Sequence, residues 1–577
     1  MFANNKQALL NYIVFVLGVI TLVTTSVAVW QNFSPLPIND SWDGSIGFYM
    51  RAMQAPWPAF FEQHNEHRLA FSRLIFFADV RYFGGRNVLS LIANLGLAGA
   101  FALAFFRIAV HHCQTLTRGA RLGLAGAALV FSFSWIQNEN FTWGFQSQWF
   151  AVYLFALLAF HSIDRVVECN AQREPRRSLG WLVVAVTSAS IAAYSMSSGV
   201  LVFPVLMLQA IYLRLNLRGL LTIFVVAITV WLAYFVGWHP VASSGNLASG
   251  LREHPLGILR YVLLYLGAPA FHAHLRQMGA YICGAFVLAA LIVGCIKALQ
   301  PGKKSFRAMS LLAFAGFVGG NALLTAMGRL WLGLDTALAS RYTTASLAAW
   351  LALIAFAALN SRSTTQRRCV LVVAVLATML VFFDQRFVFR KEKDITYTRM
   401  VAGLALRSHV YDPDITQAVY PFPDALIVTA KQAEAAQLSI FAPDQPDFLV
   451  PPAHVSADSP CKGAIDEISQ TTTPSVYRAS GWIYDATSKE VPHQLVVTDS
   501  SGNTLGTGIS GGQRLDVDDI FGRPARFSGW TAFFKAPAGG GIRIKGQTGS
   551  GTYCALPEER AIVATPNLIV VPDRQRH

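Results

Sequence analysis

YIVFVLGVITLVTTSVAVW, residues 12–30, contains no Asp, Glu, Lys, Arg or His. A helix of that length nearly spans a hydrocarbon core, which takes about 20 residues rising 1.5 Å each. Val88–Val110 and Leu220–Trp238 read the same way. The first run exceeds the apolar stretch of a secretory leader and further spans follow it, so it reads as an uncleaved first helix. Composition agrees: of 577 residues 53% are apolar and 14% charged, and mean hydropathy is +0.42. Soluble domains carry about 25% charged residues, so this chain falls in the membrane class.

A net charge of +14 would suit a nucleic-acid partner, but the positions of the basic residues argue against one. Arg118 and Arg121, then Arg165, Arg173, Arg176 and Arg177, then Arg214 and Arg218 occupy alternate short loops. Lys297, Lys303, Lys304 and Arg307, and then Arg362, Arg367 and Arg368, continue the series. Such alternation marks cytoplasmic loops, and it places Lys6 and the amino terminus on that side. The expected spans are 11–31, 88–110, 122–137, 147–163, 180–195, 198–213, 219–238, 278–298, 308–327, 343–360 and 369–384, about eleven helices. An odd number leaves everything after Phe383 outside. The outer loops are then 32–87, 138–146, 239–277 and 328–342. Leu69–Tyr82, with Arg73, Asp79 and Arg81, and Leu256–Leu266, with Arg260, are amphipathic and predict helices lying in the membrane interface. The alternative is a kinked half-span packed inside the bundle.

The composition predicts three regions: a membrane domain over 1–384, a mixed extracytoplasmic stretch over 385–460 and an all-β domain over 461–577. Val476–Tyr484, Gln494–Thr498, Trp530–Phe534 and Gly541–Lys545 read as strands separated by turns such as Asp499–Asn503 and Gly539–Gly541. A sandwich or jelly-roll of roughly a hundred residues is expected. Cys461 and Cys554 are the two cysteines of that outer region and bracket the β domain, so a disulfide between them is expected in an oxidising compartment.

Asp40 and Asp43 follow the first span, where a carboxylate can serve as general base toward an acceptor hydroxyl. Helix capping is the competing reading, with Asp40 or Ser41 capping a helix from Trp42 to Met53. His64-Asn65-Glu66-His67-Arg68 is denser, and on a helix His64, His67 and Arg68 would share a face with Glu66 beside them. It can meet a phosphate, ligate a divalent cation or form a solvated turn; it lacks the His-Glu-x-x-His spacing of zinc proteases. Asn138, Glu139, Asn140, Trp143, Gln146, Gln148 and Trp149 crowd one outer loop, with the amides and aromatic rings that a sugar site uses. An aromatic interfacial belt accounts for the tryptophans but not the amides. Arg329 and Arg341-Tyr342 oppose the charge bias of outer loops and fit an anionic lipid phosphate or a snorkelling role. His254, His272 and His274 read as interfacial, and Ser195–Gly199 as a tight turn or part of a polar cavity lining. The sequence has no P-loop or Cys-x-x-Cys pair.

A first helix, an outer loop opening with an acid, two interfacial helices, many spans and an outer carboxy-terminal domain together resemble the GT-C class of membrane glycosyltransferases. That resemblance implies an inverting transfer from a polyprenyl-phosphate-linked sugar donor to a glycan acceptor at the outer face of the bacterial cytoplasmic membrane. It places Asp40 as the base with Asp43 as substitute, Glu66 being a further candidate, and sets Arg329 and Ser340-Arg341-Tyr342 against the donor phosphate. The His64–Arg68 box has no counterpart in that pattern. No cofactor is implied beyond a divalent cation, which stays open. The β domain resembles accessory carbohydrate-binding sandwiches. Two other classes of function compete: a transporter or flippase of lipid-linked glycans, and a non-catalytic glycan-binding envelope protein. The first would need repeats and midplane polar breaks, which are not evident in the sequence.

Overall fold

The computed structural model describes residues 2–562 except 114, 242–251, 301–306, 391–392, 446–451, 458 and 538. Lys303 and Lys304 of the basic series therefore lie outside the described residues. The chain divides into two compact units.

The first unit comprises Met1–Phe33, Arg51–Asp79 and Asn87–Arg390 and is helical. Among the described residues nine helices are long and apolar enough to cross a membrane: Gln7–Gln31, Val88–His112, Arg118–Thr142, Gly144–Ala171, Leu217–Phe235, Pro255–Leu299, Met309–Leu332, Ser340–Asn360 and Thr364–Phe387. The chain is a multi-pass membrane protein. Two of the expected spans differ. The first is a helix over Pro175–Ala193, with Arg176, Arg177 and Ser178 in its opening turns and Thr187, Ser188 and Ser190 further along. The second, Ser197–Tyr212, is apolar but short.

Small residues set the helix spacing. A Cβ on Gly18 would stand 2.6 Å from the Gly126 carbonyl oxygen, and one on Gly126 would overlap the Val14 carbonyl. The Phe2–Gln31 and Arg118–Phe133 helices thus meet backbone to backbone, the close approach that small residues permit where no hydrophobic force separates helix from lipid. Gly267 and Gly284 do the same for Pro255–Ala270 and Arg276–Leu299, whose junction is kinked at Ala273 and His274.

Of the two expected interfacial helices, Ala70–Phe83 keeps Leu74, Tyr82 and Phe83 exposed while burying Arg73, Phe76 and Asp79. Asp79 accepts the backbone N–H groups of Asn87 (3.0 Å), Leu89 (2.6 Å) and Ser90 (3.3 Å), capping the Val88–His112 helix. Leu256–Leu266 is amphipathic as expected, with Leu256, Leu259 and Arg260 exposed, but its other face packs inside the bundle. Tyr261 and Tyr265 are fully buried, Asn321 donates to the Tyr265 hydroxyl at 3.0 Å, and Trp350 donates to the Leu266 carbonyl at 2.8 Å. Those hydroxyls find partners inside, which lets that face of an amphipathic helix leave the surface.

The second unit holds Ser34–Met50, Val80–Arg86 and Lys391–His577, so the 32–87 loop is shared between units. Nine strands are described: β1 (Ser459–Pro460), β2 (Lys462–Gln470), β3 (Val476–Tyr484), β4 (Gln494–Thr498), β5 (Thr504–Gly512), β6 (Gly529–Lys535), β7 (Gly541–Gln547), β8 (Tyr553–Ala555) and β9 (Arg560–Ala561). They hydrogen-bond into one sheet, in the order β1-β8-β7-β4-β5-β6-β3-β2 with β9 on β7, where two facing sheets were expected. Its edge strands β1 and β2 are one chain segment broken at Cys461, so the sheet curls back on itself. Cys461 is disulfide-bonded to Cys554 of β8, with Cα atoms 5.3 Å apart, at this closure. Within the mixed 385–460 stretch the Lys393–Arg407 helix belongs to the same unit as the strands, and its Val401 and Leu404 pack with Val476, Ile509 and Phe533 of the sheet.

Gly126→Ala is expected to lower stability by about 1–3 kcal/mol through overpacking. Gly316→Ala, with open space at its Cβ, should be neutral or mildly stabilising. Thermal unfolding in detergent separates the two, and equal melting temperatures would refute the backbone contact. Replacing Cys461 and Cys554 together by serine should destabilise the second unit by about 2–5 kcal/mol, given the 93-residue separation, read as faster proteolysis of the β domain.

Candidate functional site

His64 and His67 exchange backbone hydrogen bonds of 2.8 and 2.9 Å across a two-residue turn, and Asn65 sits at φ +49°. The helical face expected for His64–Arg68 is thus replaced by a tight turn, because Asn tolerates the left-handed region that this reversal demands. Gln63 secures the turn, donating to the Asn65 and His239 carbonyls at 2.7 Å each and accepting the His239 N–H at 2.9 Å. Arg68 is buried, and its guanidinium donates to the carbonyls of Phe61, Tyr234 and Val236. Arg68 therefore fastens the loop; its donors face carbonyls, where a phosphate contact was expected.

The turn projects Glu66 and His67 into a chain of contacts. The His67 Nδ1 accepts the Ser197 N–H at 3.2 Å and lies 2.9 Å from the Ser197 hydroxyl. Its Nε2 lies 3.9 Å from Glu66 Oε2, and Glu66 Oε1 accepts from Arg329 Nη2 at 2.8 Å. Burial lowers the His67 imidazole to about 4; the Glu66 carboxylate works against this, and His64 and Arg329 reinforce it. Ser197 belongs to the Ser195–Gly199 break, whose role as an imidazole partner no local pattern announces. His64 packs its ring 5.3 Å from Phe145, which stacks on Phe76 and Trp143.

Phe145 leads into the amide-rich loop. Asn138 and Glu139 are half-buried, while Asn140, Trp143, Gln146, Gln148 and Trp149 are buried. Glu139 accepts from Arg341 Nη1 at 2.8 Å and from the Arg341 N–H at 3.2 Å. Asn138 Oδ1 accepts from Ser340 Oγ at 2.9 Å, and Asn140 Nδ2 donates to the Arg341 carbonyl at 2.9 Å and to Thr344 Oγ1 at 2.8 Å. Asn138 and Asn140 thus clamp Ser340–Thr344, while Gln146 Nε2, Gln148 Oε1 and Asn140 Oδ1 are buried with no hydrogen-bond partner among the described residues. Tyr342 is core, 5.2 Å from the Tyr265 ring and 5.4 Å from Trp149.

Thr336, between the two arginines in sequence, donates to the Tyr261 hydroxyl at 3.2 Å. His272 bonds the Leu338 carbonyl at 2.8 Å, and Gln277 donates to Asp335 at 3.3 Å. Segments expected in separate outer loops are therefore bonded to one another at one end of the bundle. Asp40 and Asp43 belong to the second unit. There Gly44 N–H donates to the Asp40 carbonyl at 2.7 Å, Asp43 lies in a π-helical turn over Trp42–Gly47, and Trp42 is buried with Leu36 and Ile46. Ser41 makes no side-chain cap at that turn.

No protein-family model, curated protein or solved structure matches the chain.

A lowered His67 means the unfolded chain takes up the proton first as pH falls below 6.5. Stability should therefore be lost as pH drops from 6.5 toward about 4 and be fully present above that window, by up to about 3 kcal/mol from this group. His67→Gln should flatten the dependence of melting temperature on pH there; superimposable profiles would count against it.

Proposed function

We propose that this chain transfers a sugar from a polyprenyl-phosphate-linked donor to a cell-envelope glycan or lipid-linked acceptor, as an inverting membrane glycosyltransferase of GT-C type. The observation that carries the reading is the pairing of Glu66 with Arg329 and of Glu139 with Arg341 at one end of an apolar bundle. Ionised groups beside lipid are expensive and collect where an ionic or polar ligand is handled. Among the described residues the Arg329 guanidinium bonds Glu66 through one nitrogen, and its remaining donors suit a phosphate oxygen.

In the reaction an acceptor hydroxyl attacks the anomeric carbon as the bond to the donor phosphate breaks, inverting that centre. The proton passes to a carboxylate, and the phosphate leaves on its isoprenoid chain with its charge met by Arg329 and Arg341. Glu66 is the acid already seated beside one of these arginines; Asp40 and Asp43 are the alternatives that the resemblance offers. The isoprenoid tail stays among membrane lipids.

The basic residues of the opposite helix ends orient the bundle with its amino terminus in the cytoplasm of a bacterial inner membrane. Nine spans or eleven are both odd, so the carboxy-terminal unit is extracytoplasmic either way; a disulfide suits that compartment. The β domain serves as an accessory glycan-binding module.

Lipid-linked oligosaccharide profiling of a deletion strain should show one missing sugar. In a purified assay Glu66→Gln should lower kcat by about 10²–10⁴-fold if it is the base. Arg329→Ala and Arg341→Ala should chiefly weaken donor binding. Wild-type turnover by Asp40→Asn, Asp43→Asn and Glu66→Gln alike would refute the site.

A further inference from the structure

At the opposite end of the helical unit lies a histidine cluster that glycosyl transfer does not use. His111 and His112 end the Val88–His112 helix, and His161, Asp164, Arg165 and Glu168 lie on Ser147–Ala171. Two overlapping triads have ligand atoms within 4.8 Å of one another: His111–His112–Glu168 and His112–His161–Asp164. The first already encloses a cation. Arg165 Nη1 donates to His111 Nε2 and to Glu168 Oε2, each at 2.6 Å. The second does not.

In the second triad His112 Nε2 and His161 Nδ1 are buried and have no hydrogen-bond partner among the described residues. The side chains of His112 and Asp164 are only 8% and 6% exposed. Orphaned imidazole nitrogens beside a buried carboxylate call for a partner that no protein donor supplies. His112 Nε2 stands 3.4 Å from Asp164 Oδ2. That distance is close to the edge of a tetrahedron whose centre lies about 2.1 Å from each ligand, the zinc–nitrogen and zinc–oxygen length. Asp164 is also held from behind: Oδ1 accepts from Gln209 Nε2 at 2.8 Å and Oδ2 from the Ser310 N–H at 3.1 Å. Such outer bonds orient metal-binding carboxylates. The carbonyl end of the Val88–His112 helix adds a favourable dipole for a cation.

We propose that His112, His161 and Asp164 bind a divalent transition-metal ion of zinc type, fastening the Val88–His112 helix to Ser147–Ala171. This inference is independent of the proposed glycosyl transfer. Arg165, paired with Glu168, and His111 are the basic neighbours among the described residues, and the Trp181 indole covers Arg165 and His161, with the Arg165 guanidinium 5.4 Å and the His161 ring 6.1 Å away.

The test uses the full chain in detergent, purified without a polyhistidine tag and stripped with chelator. Zn²⁺ titration should give one ion per chain with a rise in melting temperature, and Co²⁺ should give visible d–d bands. His161→Ala and Asp164→Asn should each weaken binding at least tenfold, and Gln209→Ala by roughly 10–100-fold. His111→Gln should retain it. Absence of stoichiometric Zn²⁺ binding and of Co²⁺ bands in the folded wild type would overturn the proposal, whatever the variants do. So would binding undiminished in a folded His112→Ala/His161→Ala protein.

Discussion

Opposite charge meeting opposite charge at the rim of an apolar bundle is what organises the helical unit. Glu66 and Arg329 are 263 positions apart in sequence and 2.8 Å apart in space; Glu139 and Arg341 are 202 apart and equally close. Each contact ties a loop near the amino-terminal spans to one near the last spans. Where water is scarce a lone carboxylate or guanidinium is strongly disfavoured, so removing either partner harms the other. The pairs also fix the loops carrying them. The His64–His67 turn that places Glu66 is anchored by Gln63 and by Arg68, buried on three carbonyls.

A second constraint works on the backbone. Within lipid every N–H and C=O has to be satisfied inside the helix, which frees side chains to be as small as glycine where helices cross. Gly18 against Gly126 and Gly267 near Gly284 bring main chains into direct contact, leaving bulky residues for lipid-facing surfaces. The second unit meets the corresponding problem for a sheet. Its free edges are the two halves of one segment, and the Cys461–Cys554 bond sits where that segment turns.

Much of this was legible because hydrocarbon thickness imposes a length, and length is a local property of sequence. Nine of the expected spans coincide with long apolar helices, and the bracketing cysteines do pair. Legibility failed where the decision is tertiary. Leu256–Leu266 has an amphipathic pattern that suits an interface equally well, and only Asn321, Ser346 and Trp350, far along the chain, draw it inside. Reading His64–Arg68 as helical overlooked that Asn65 readily takes a positive φ. The amides of Asn138 and Asn140 have a protein partner, Ser340–Thr344, that lies two hundred residues away and is invisible to a local reading. His112 and His161 escaped notice because their spacing matches no metal motif; two helices have to pack before they meet.

The two ion pairs bear directly on the proposed chemistry. An arginine held by a glutamate in the resting chain does not have to exist as an unpaired cation before a ligand arrives. An incoming phosphate can take the place of Glu66 on Arg329, exchanging one anion for another and leaving the charge balance of the rim unchanged. The displaced carboxylate then loses its counter-cation, which raises its affinity for a proton at the moment an acceptor hydroxyl has one to give. Base and phosphate clamp would be made from one pair, each activated by the other's departure. On that reasoning the Glu66–Arg329 contact would be a latched form of the proposed site, with His67, fixed by Ser197, adding no competing charge 3.9 Å from the carboxylate.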